Sequence, residues 1–157
     1  MGNIKILISC HKQSIVPDSE IMLPIEVGAD LRSKHIEGYI QDNSGDNISA
    51  KNKMYCELTA QYWAWKNLDA DYYGFFHYRR YLNFSENKYP LDSWQNITEE
   101  RLNDTCLKKY NLNDDCIRNM VETYDIVLSE EKNVAKMPDR NTSVYEQYKN
   151  GRSLNIR

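Results

Sequence analysis

Two guanidiniums, an imidazole and two phenol rings stand together at His77-Tyr78-Arg79-Arg80-Tyr81, directly behind the apolar run Tyr72-Tyr73-Gly74-Phe75-Phe76. Arginine beside a buried strand is costly unless its planar fork meets an anion, and phosphate is a common partner for that fork. Histidine adds a group that can donate a hydrogen bond or exchange a proton near neutral pH. The competing reading is a structural cluster in which Arg79 and Arg80 pair with local carboxylates. Side chains alternate along extended backbone, so the spacing predicts His77 and Arg79 on one face and Tyr78 and Arg80 on the other. His77, Arg79 and Arg80 are the candidate catalytic residues, with Tyr78 and Tyr81 as candidate walls of a binding site.

The elements that must position this cluster are legible as an alternation of strands and helices. Ile4-Lys5-Ile6-Leu7-Ile8 is short, β-branched and apolar, as a buried strand of a parallel sheet would be. Residues 13 to 53 contain Pro17, Pro24 and the turn-rich stretch from Gln41 to Asn47, which predicts a long irregular segment with one short strand near Ile21 to Val27. From Lys53 to Leu68, Tyr55, Leu58, Tyr62 and Trp65 recur at three- and four-residue steps, predicting one amphipathic helix. It hands over to the strand at 72 to 76. Thr98-Glu99-Glu100 reads as a helix start, with Leu102 and Cys106 or Leu107 inward. Asp114 opens a further helix with Ile117, Met120, Val121 and Tyr124 on one face, leading to a strand at Asp125-Ile126-Val127-Leu128. This order predicts an α/β fold, a mostly parallel sheet flanked by helices, in one domain over residues 1–157. Ligands bind such sheets at the carboxyl ends of the strands, a rule that collects Cys10-His11-Lys12, His77 to Tyr81 and Ser129-Glu130 on one edge.

Other chemistry-bearing residues are weighed against plainer roles. Asp42, Asp46 and Asn47 lie in a glycine-containing turn, where short polar side chains either meet ribose hydroxyls or close Asx turns. Glu57 stands among the helix aromatics, where it either orients His77 or an arginine or faces solvent. Asp69-Ala70-Asp71 matches the Asp-x-Asp pattern of divalent-metal sites, but it precedes its strand instead of following it, so a helix-terminating turn is expected. No metal ligand set and no cofactor are indicated. The four cysteines, Cys10, Cys56, Cys106 and Cys116, form no C-x-x-C pair and are expected to be free, buried thiols. Neither a P-loop nor a Gly-x-Gly-x-x-Gly fingerprint occurs, which removes support for ATPase and dehydrogenase readings. With a net charge of -3, the chain lacks the basic excess of a nucleic-acid binder. It has neither an apolar stretch long enough to span a bilayer nor a secretory signal pattern, so a cytoplasmic location is expected.

Four stretches then carry a resemblance: Ile6-Leu7-Ile8-Ser9-Cys10-His11-Lys12, Gly45-Asp46-Asn47-Ile48-Ser49, the segment from Tyr55 to Asn67, and Phe76 to Tyr81. With Ser143-Val144-Tyr145-Glu146-Gln147-Tyr148, they resemble the DUF4422 family, described as glycosyltransferases of capsular and O-antigen polysaccharide synthesis. The resemblance implies a GT-A-like fold and a nucleotide-sugar donor, UDP-hexose, with a capsular, O-antigen or exopolysaccharide acceptor, free or lipid-linked. It implies that His11 and Lys12 border the nucleotide, that Asp46 and Asn47 line the donor pocket, and that Glu57 orients the cationic cluster. His77 to Tyr81 would then occupy the place where other GT-A enzymes carry metal-binding aspartates, with arginine replacing the metal. Members of the family are longer past the Tyr145-Glu146-Gln147-Tyr148 motif. The alternative expectation is therefore a truncated, non-catalytic nucleotide-sugar-binding module that associates with itself through an exposed sheet edge. A position peripheral to the inner face of the membrane fits the lipid-linked acceptor.

Overall fold

A computed structural model describes residues 2–133 together with residues 143 and 145. Strand β1 runs Ile4–Cys10, β2 Met22–Glu26, β3 Ile40–Gln41 and β4 Tyr72–His77. They form one sheet in the order β3-β2-β1-β4, with every strand pairing parallel. The expected strands at 4 to 8, near 21 to 27 and at 72 to 76 are present, and β3 is an addition inside the segment read as irregular.

The pleat of β1 divides the core. Ile4, Ile6, Ile8 and Cys10 join Phe76, Phe84, Leu112 and Ile117 on one face, while Leu7 joins Ile25, Ala60, Trp63 and Ala64 on the other. Helices α3 (Asp104–Lys109) and α4 (Asp114–Thr123) supply the first cluster, and α2 (Leu58–Asn67) the second. A β1 buried on both faces explains its near-continuous apolar run.

The tyrosine-rich segment departs from expectation twice. A short α1 (Asn52–Tyr55) and α2 replace the single helix, separated by Cys56 at φ 48° and ψ −126°. The buried face of α2 is Thr59, Ala60, Trp63 and Ala64, whereas Tyr55, Leu58 and Trp65 of the expected inward stripe are exposed. Small side chains at Ala60 and Ala64 let the helix approach the sheet closely. The Trp63 indole N–H donates to the Ser44 carbonyl at 3.1 Å and hydroxyl at 2.9 Å, so its burial leaves no orphan donor. On the outer face, Tyr62 donates to Asp46 at 3.0 Å and the Lys66 ammonium lies 3.7 Å from the Trp65 ring centroid.

Both later helices start where asparagine caps them. Asn103 Oδ1 accepts from Cys106 N–H and Asn113 Oδ1 from Cys116 N–H, each at 3.0 Å. Thr98 starts no helix, since its hydroxyl is committed to Asp92 at 2.7 Å. Leu102, Cys106 and Leu107 do pack inward, as do Ile117, Met120 and Val121, while Tyr124 terminates α4 and is exposed. The strand expected at Asp125-Ile126-Val127-Leu128 does not form: these residues pair with no strand, and Ile126 and Leu128 are exposed. A short apolar run becomes a strand only by finding a ladder partner.

The chain divides into two compact units, Met1–Ser85 with Leu102–Val127, and Glu86–Arg101 with Leu128–Arg157. The sheet and both core clusters belong to the first. In the second, none of the described residues is buried, and Asp92 organises a turn by accepting from the backbone N–H groups of Trp94 and Asn96. The 143–148 motif, apart from Ser143 and Tyr145, lies outside the described residues.

Candidate functional site

The carboxyl ends of β1, β2 and β4 meet the α1–α2 junction around a cleft of about 260 Å³ lined by Ser9, His11, Val27, Asn52, Cys56, Glu57, His77, Arg79 and Arg80. Ser9 and His77 are register partners across β1 and β4, which brings the two strand ends to one level. The strand-end rule thus places His11, His77, Arg79 and Arg80 together, with Glu57 facing them. Ser129-Glu130 has no strand behind it and belongs to the other unit.

Alternation does not continue past His77, because β4 stops there. Arg80 N–H donates to the His77 carbonyl at 2.8 Å and His77 N–H to the Arg80 carbonyl at 3.2 Å, closing a tight turn. That turn brings both arginines to the cleft instead of dividing them between faces. Tyr78 is buried under it, with the Arg79 guanidinium 5.0 Å and the Lys12 ammonium 5.7 Å from its ring centroid and His11 edge-on at 5.1 Å. Among the described residues neither Arg79 nor Arg80 has an ion-pair partner, so the local-carboxylate reading of the cluster finds no support there.

His77 is the best-defined group of the cleft. Its Nδ1 accepts the Arg79 backbone N–H at 3.2 Å, which in the neutral ring leaves the proton on Nε2. Nε2 lies 3.7 Å from Glu57 Oε1, within ion-pair range but too long for a direct hydrogen bond. Burial holds the imidazole below its usual pKa; the Glu57 carboxylate works against this, and Arg80, Arg79 and His11 reinforce it. Neutral His77 therefore offers a donor, Nε2–H, toward the cleft.

Four of the residues weighed from sequence lie elsewhere. Asp46 bonds the Tyr62 hydroxyl and faces Lys66 at 3.8 Å, and Asn47 closes its own turn by donating to the Asn43 and Gly45 carbonyls; neither lines the cleft. Tyr81 packs edge-on against Phe76 at 5.5 Å, its hydroxyl driven well above the usual phenol range by burial. Asp42 is fully buried and accepts from the backbone N–H groups of Gly28 at 2.8 Å and Ala29 at 3.0 Å and from the Ser49 hydroxyl, a structural role.

Asp69-Ala70-Asp71 ends the approach to β4, with Asp71 Oδ2 accepting the Asn3 backbone N–H at 2.7 Å at the amino edge of the sheet. Among the described residues no group of three or more His, Cys, Asp or Glu side chains could hold a metal ion. Cys10 is a buried thiol pushed up to about 11 by desolvation, whereas Cys56, expected buried, is exposed and lines the cleft.

Sequence reading missed Asn52 and Cys56 as cleft residues and Glu26 as a buried carboxylate. Glu26 ends β2 fully buried, with Oε1 3.3 Å from Arg32 Nε and Oε2 accepting the Ile36 N–H at 3.1 Å beside His35. An acidic residue inside the apolar run Met22–Val27 was the available signal.

A parallel sheet ordered β3-β2-β1-β4, helices on both faces and a cleft at the strand ends define an α/β fold of GT-A type. The family model described as a domain of unknown function, DUF4422, matches residues 5–156, and the chain belongs to that family. It is similar to a solved structure titled as the apo form of the bifunctional glycosyltransferase WbbM, at 43% identity and a TM-score of 0.73. The match covers 76% of this chain and 21% of that one, so the chain spans about a fifth of the length of that solved protein. Comparison with curated proteins finds no match.

Proposed function

We propose that this chain is the donor-binding part of a glycosyltransferase that moves a hexose from a UDP-linked donor to a capsular, O-antigen or exopolysaccharide acceptor. The observation that carries this reading is the pair Arg79 and Arg80, both lining a cleft at strand carboxyl ends and neither ion-paired among the described residues. Two guanidiniums and the Nε2–H of His77 would meet the diphosphate oxygens. They would supply the charge neutralisation that a divalent ion supplies elsewhere, as the sugar C1–O bond to the diphosphate breaks and an acceptor hydroxyl takes its place. His11, which lines the cleft, and Lys12, which lies by the Tyr78 ring, would border the nucleotide. Similarity to a bifunctional glycosyltransferase at 43% identity supports glycosyl transfer as the reaction class. No helix among the described residues is long and apolar enough to cross a membrane, and we place the reaction in the cytoplasm where the acceptor meets the membrane face.

A second reading is a non-catalytic module that holds the donor without turning it over. Calorimetric titration with UDP-sugars tests both. Loss of one charge-assisted contact in Arg79→Ala or Arg80→Ala weakens binding by about 10- to 100-fold; unchanged affinity in both variants sinks the diphosphate site. Binding with neither transfer nor sugar-nucleotide hydrolysis selects the module. Transfer that vanishes with a chelator and returns with manganese refutes arginine in place of metal.

A further inference from the structure

The helix break beside the cleft has an identifiable cause. Cys56 adopts φ 48° and ψ −126°, a backbone conformation natural to glycine and foreign to cysteine. Its carbonyl is held from two side chains: Asn52 Nδ2 donates to it at 2.8 Å and Thr59 Oγ1 at 3.0 Å. The Asn52 amide also donates to Thr59 Oγ1 at 3.0 Å, so the two side chains brace each other. Asn52 is itself backed by Gly28, where an added Cβ would come within 2.9 Å of its side chain. Thr59 is fully buried. The residue immediately after the braced carbonyl is Glu57, whose carboxylate lies 3.7 Å from His77 Nε2.

We infer that Asn52 is a positioning residue of the cleft: its amide holds the Cys56 carbonyl in the broken-helix conformation, and that break sets the Glu57 carboxylate beside the His77 imidazole. The inference takes its purpose from the proposed donor site, but its geometry requires no donor. Glu57 is the group that favours a charged His77, while burial, Arg80, Arg79 and His11 all oppose it. Displacing Glu57 therefore changes how His77 titrates, which a role in stability alone would not.

The test is an NMR titration of the imidazole signals of the free protein, which has three histidines, in wild type, Glu57→Gln, Asn52→Ala, Cys56→Gly and Asn52→Ala with Cys56→Gly. Glu57→Gln is expected to lower the His77 midpoint, and Asn52→Ala to lower it by the same amount. Cys56→Gly leaves it unchanged. The double variant returns to the wild-type midpoint, because glycine adopts the broken-helix conformation without steric cost and so does not need the brace. A wild-type midpoint in Asn52→Ala overturns the inference, as does a double variant that titrates like Asn52→Ala. If Asn52→Ala does not fold, a folded double variant with the wild-type midpoint supports the inference, and an unfolded one overturns it. Parallel titration with UDP-sugar separates the two proposals. Absent donor binding in wild type removes the donor reading and leaves the His77 result standing.

Discussion

A histidine whose Nδ1 already accepts a backbone N–H must break that bond to become an imidazolium, and His77 does so in a partly desolvated cleft beside two arginines. The fold therefore binds the proton less tightly than the unfolded chain, where a histidine titrates near 6.5. Below that pH the unfolded state carries more protons, so stability rises with pH across the window. The His77 contribution is complete above the unfolded value and is lost as pH falls through the lower folded value. Thermal melts between pH 7 and pH 5 should drop more steeply for wild type than for His77→Gln; parallel curves would refute this. Asp42 makes a second prediction at this scale. Asp42→Ala strands the Gly28 and Ala29 N–H groups and the Ser49 hydroxyl in the interior. Orphaning buried groups costs about 1–3 kcal/mol each, so a loss of about 3–5 kcal/mol in urea unfolding is expected. A loss below about 1 kcal/mol would mean that water reaches these groups.

Among the elements, β1 and β4 set the level of the cleft, and Gly74 lets them lie close. A Cβ there would come 2.7 Å from Ile6 Cγ1 and 3.2 Å from Cγ2. Gly74→Ala is expected to lower stability by about 1–3 kcal/mol through overpacking, read by denaturant unfolding, and no loss would show that Ile6 can yield. The elements also show what sequence makes legible. Strand β1 announces itself because burial on both faces demands a continuous apolar run; β4 is equally apolar in sequence although its Tyr73 and Phe75 are exposed, and His11, His77, Arg79 and Arg80 follow from strand ends. The buried side of α2 was illegible because both sides carry apolar residues, and the choice fell to close approach by Ala60 and Ala64. The break at Cys56 was hidden for another reason. Its conformation is imposed by Asn52 and Thr59 side chains, and cysteine is no turn-former. The Asp125–Leu128 run looked like a strand because periodicity carries no information about whether a partner edge is within reach.

At the scale of the whole molecule, that partner edge is the conspicuous feature. β4 ends the order β3-β2-β1-β4, pairs among the described residues only with β1, and carries Tyr73 and Phe75 exposed on the face that α2 leaves uncovered. Parallel sheets normally have both faces covered, and an uncharged edge strand such as Tyr72–His77 lacks the lysines and prolines that deter edge pairing. The opposite edge is protected by its brevity, since β3 has two residues. The isolated chain should therefore self-associate through β4, giving a sedimentation coefficient that rises with protein concentration. Phe75→Lys puts a charge on the exposed face without adding bulk to the Gly74–Ile6 contact, and it should return the protein to a concentration-independent monomer. Tyr73→Lys is the weaker choice, because the Tyr73 hydroxyl also donates to the Leu68 carbonyl at 2.6 Å and its loss would disturb the end of α2. Association that persists unchanged in Phe75→Lys would move the contact away from this edge, and a wild-type monomer at every concentration would show the edge to be shielded in solution.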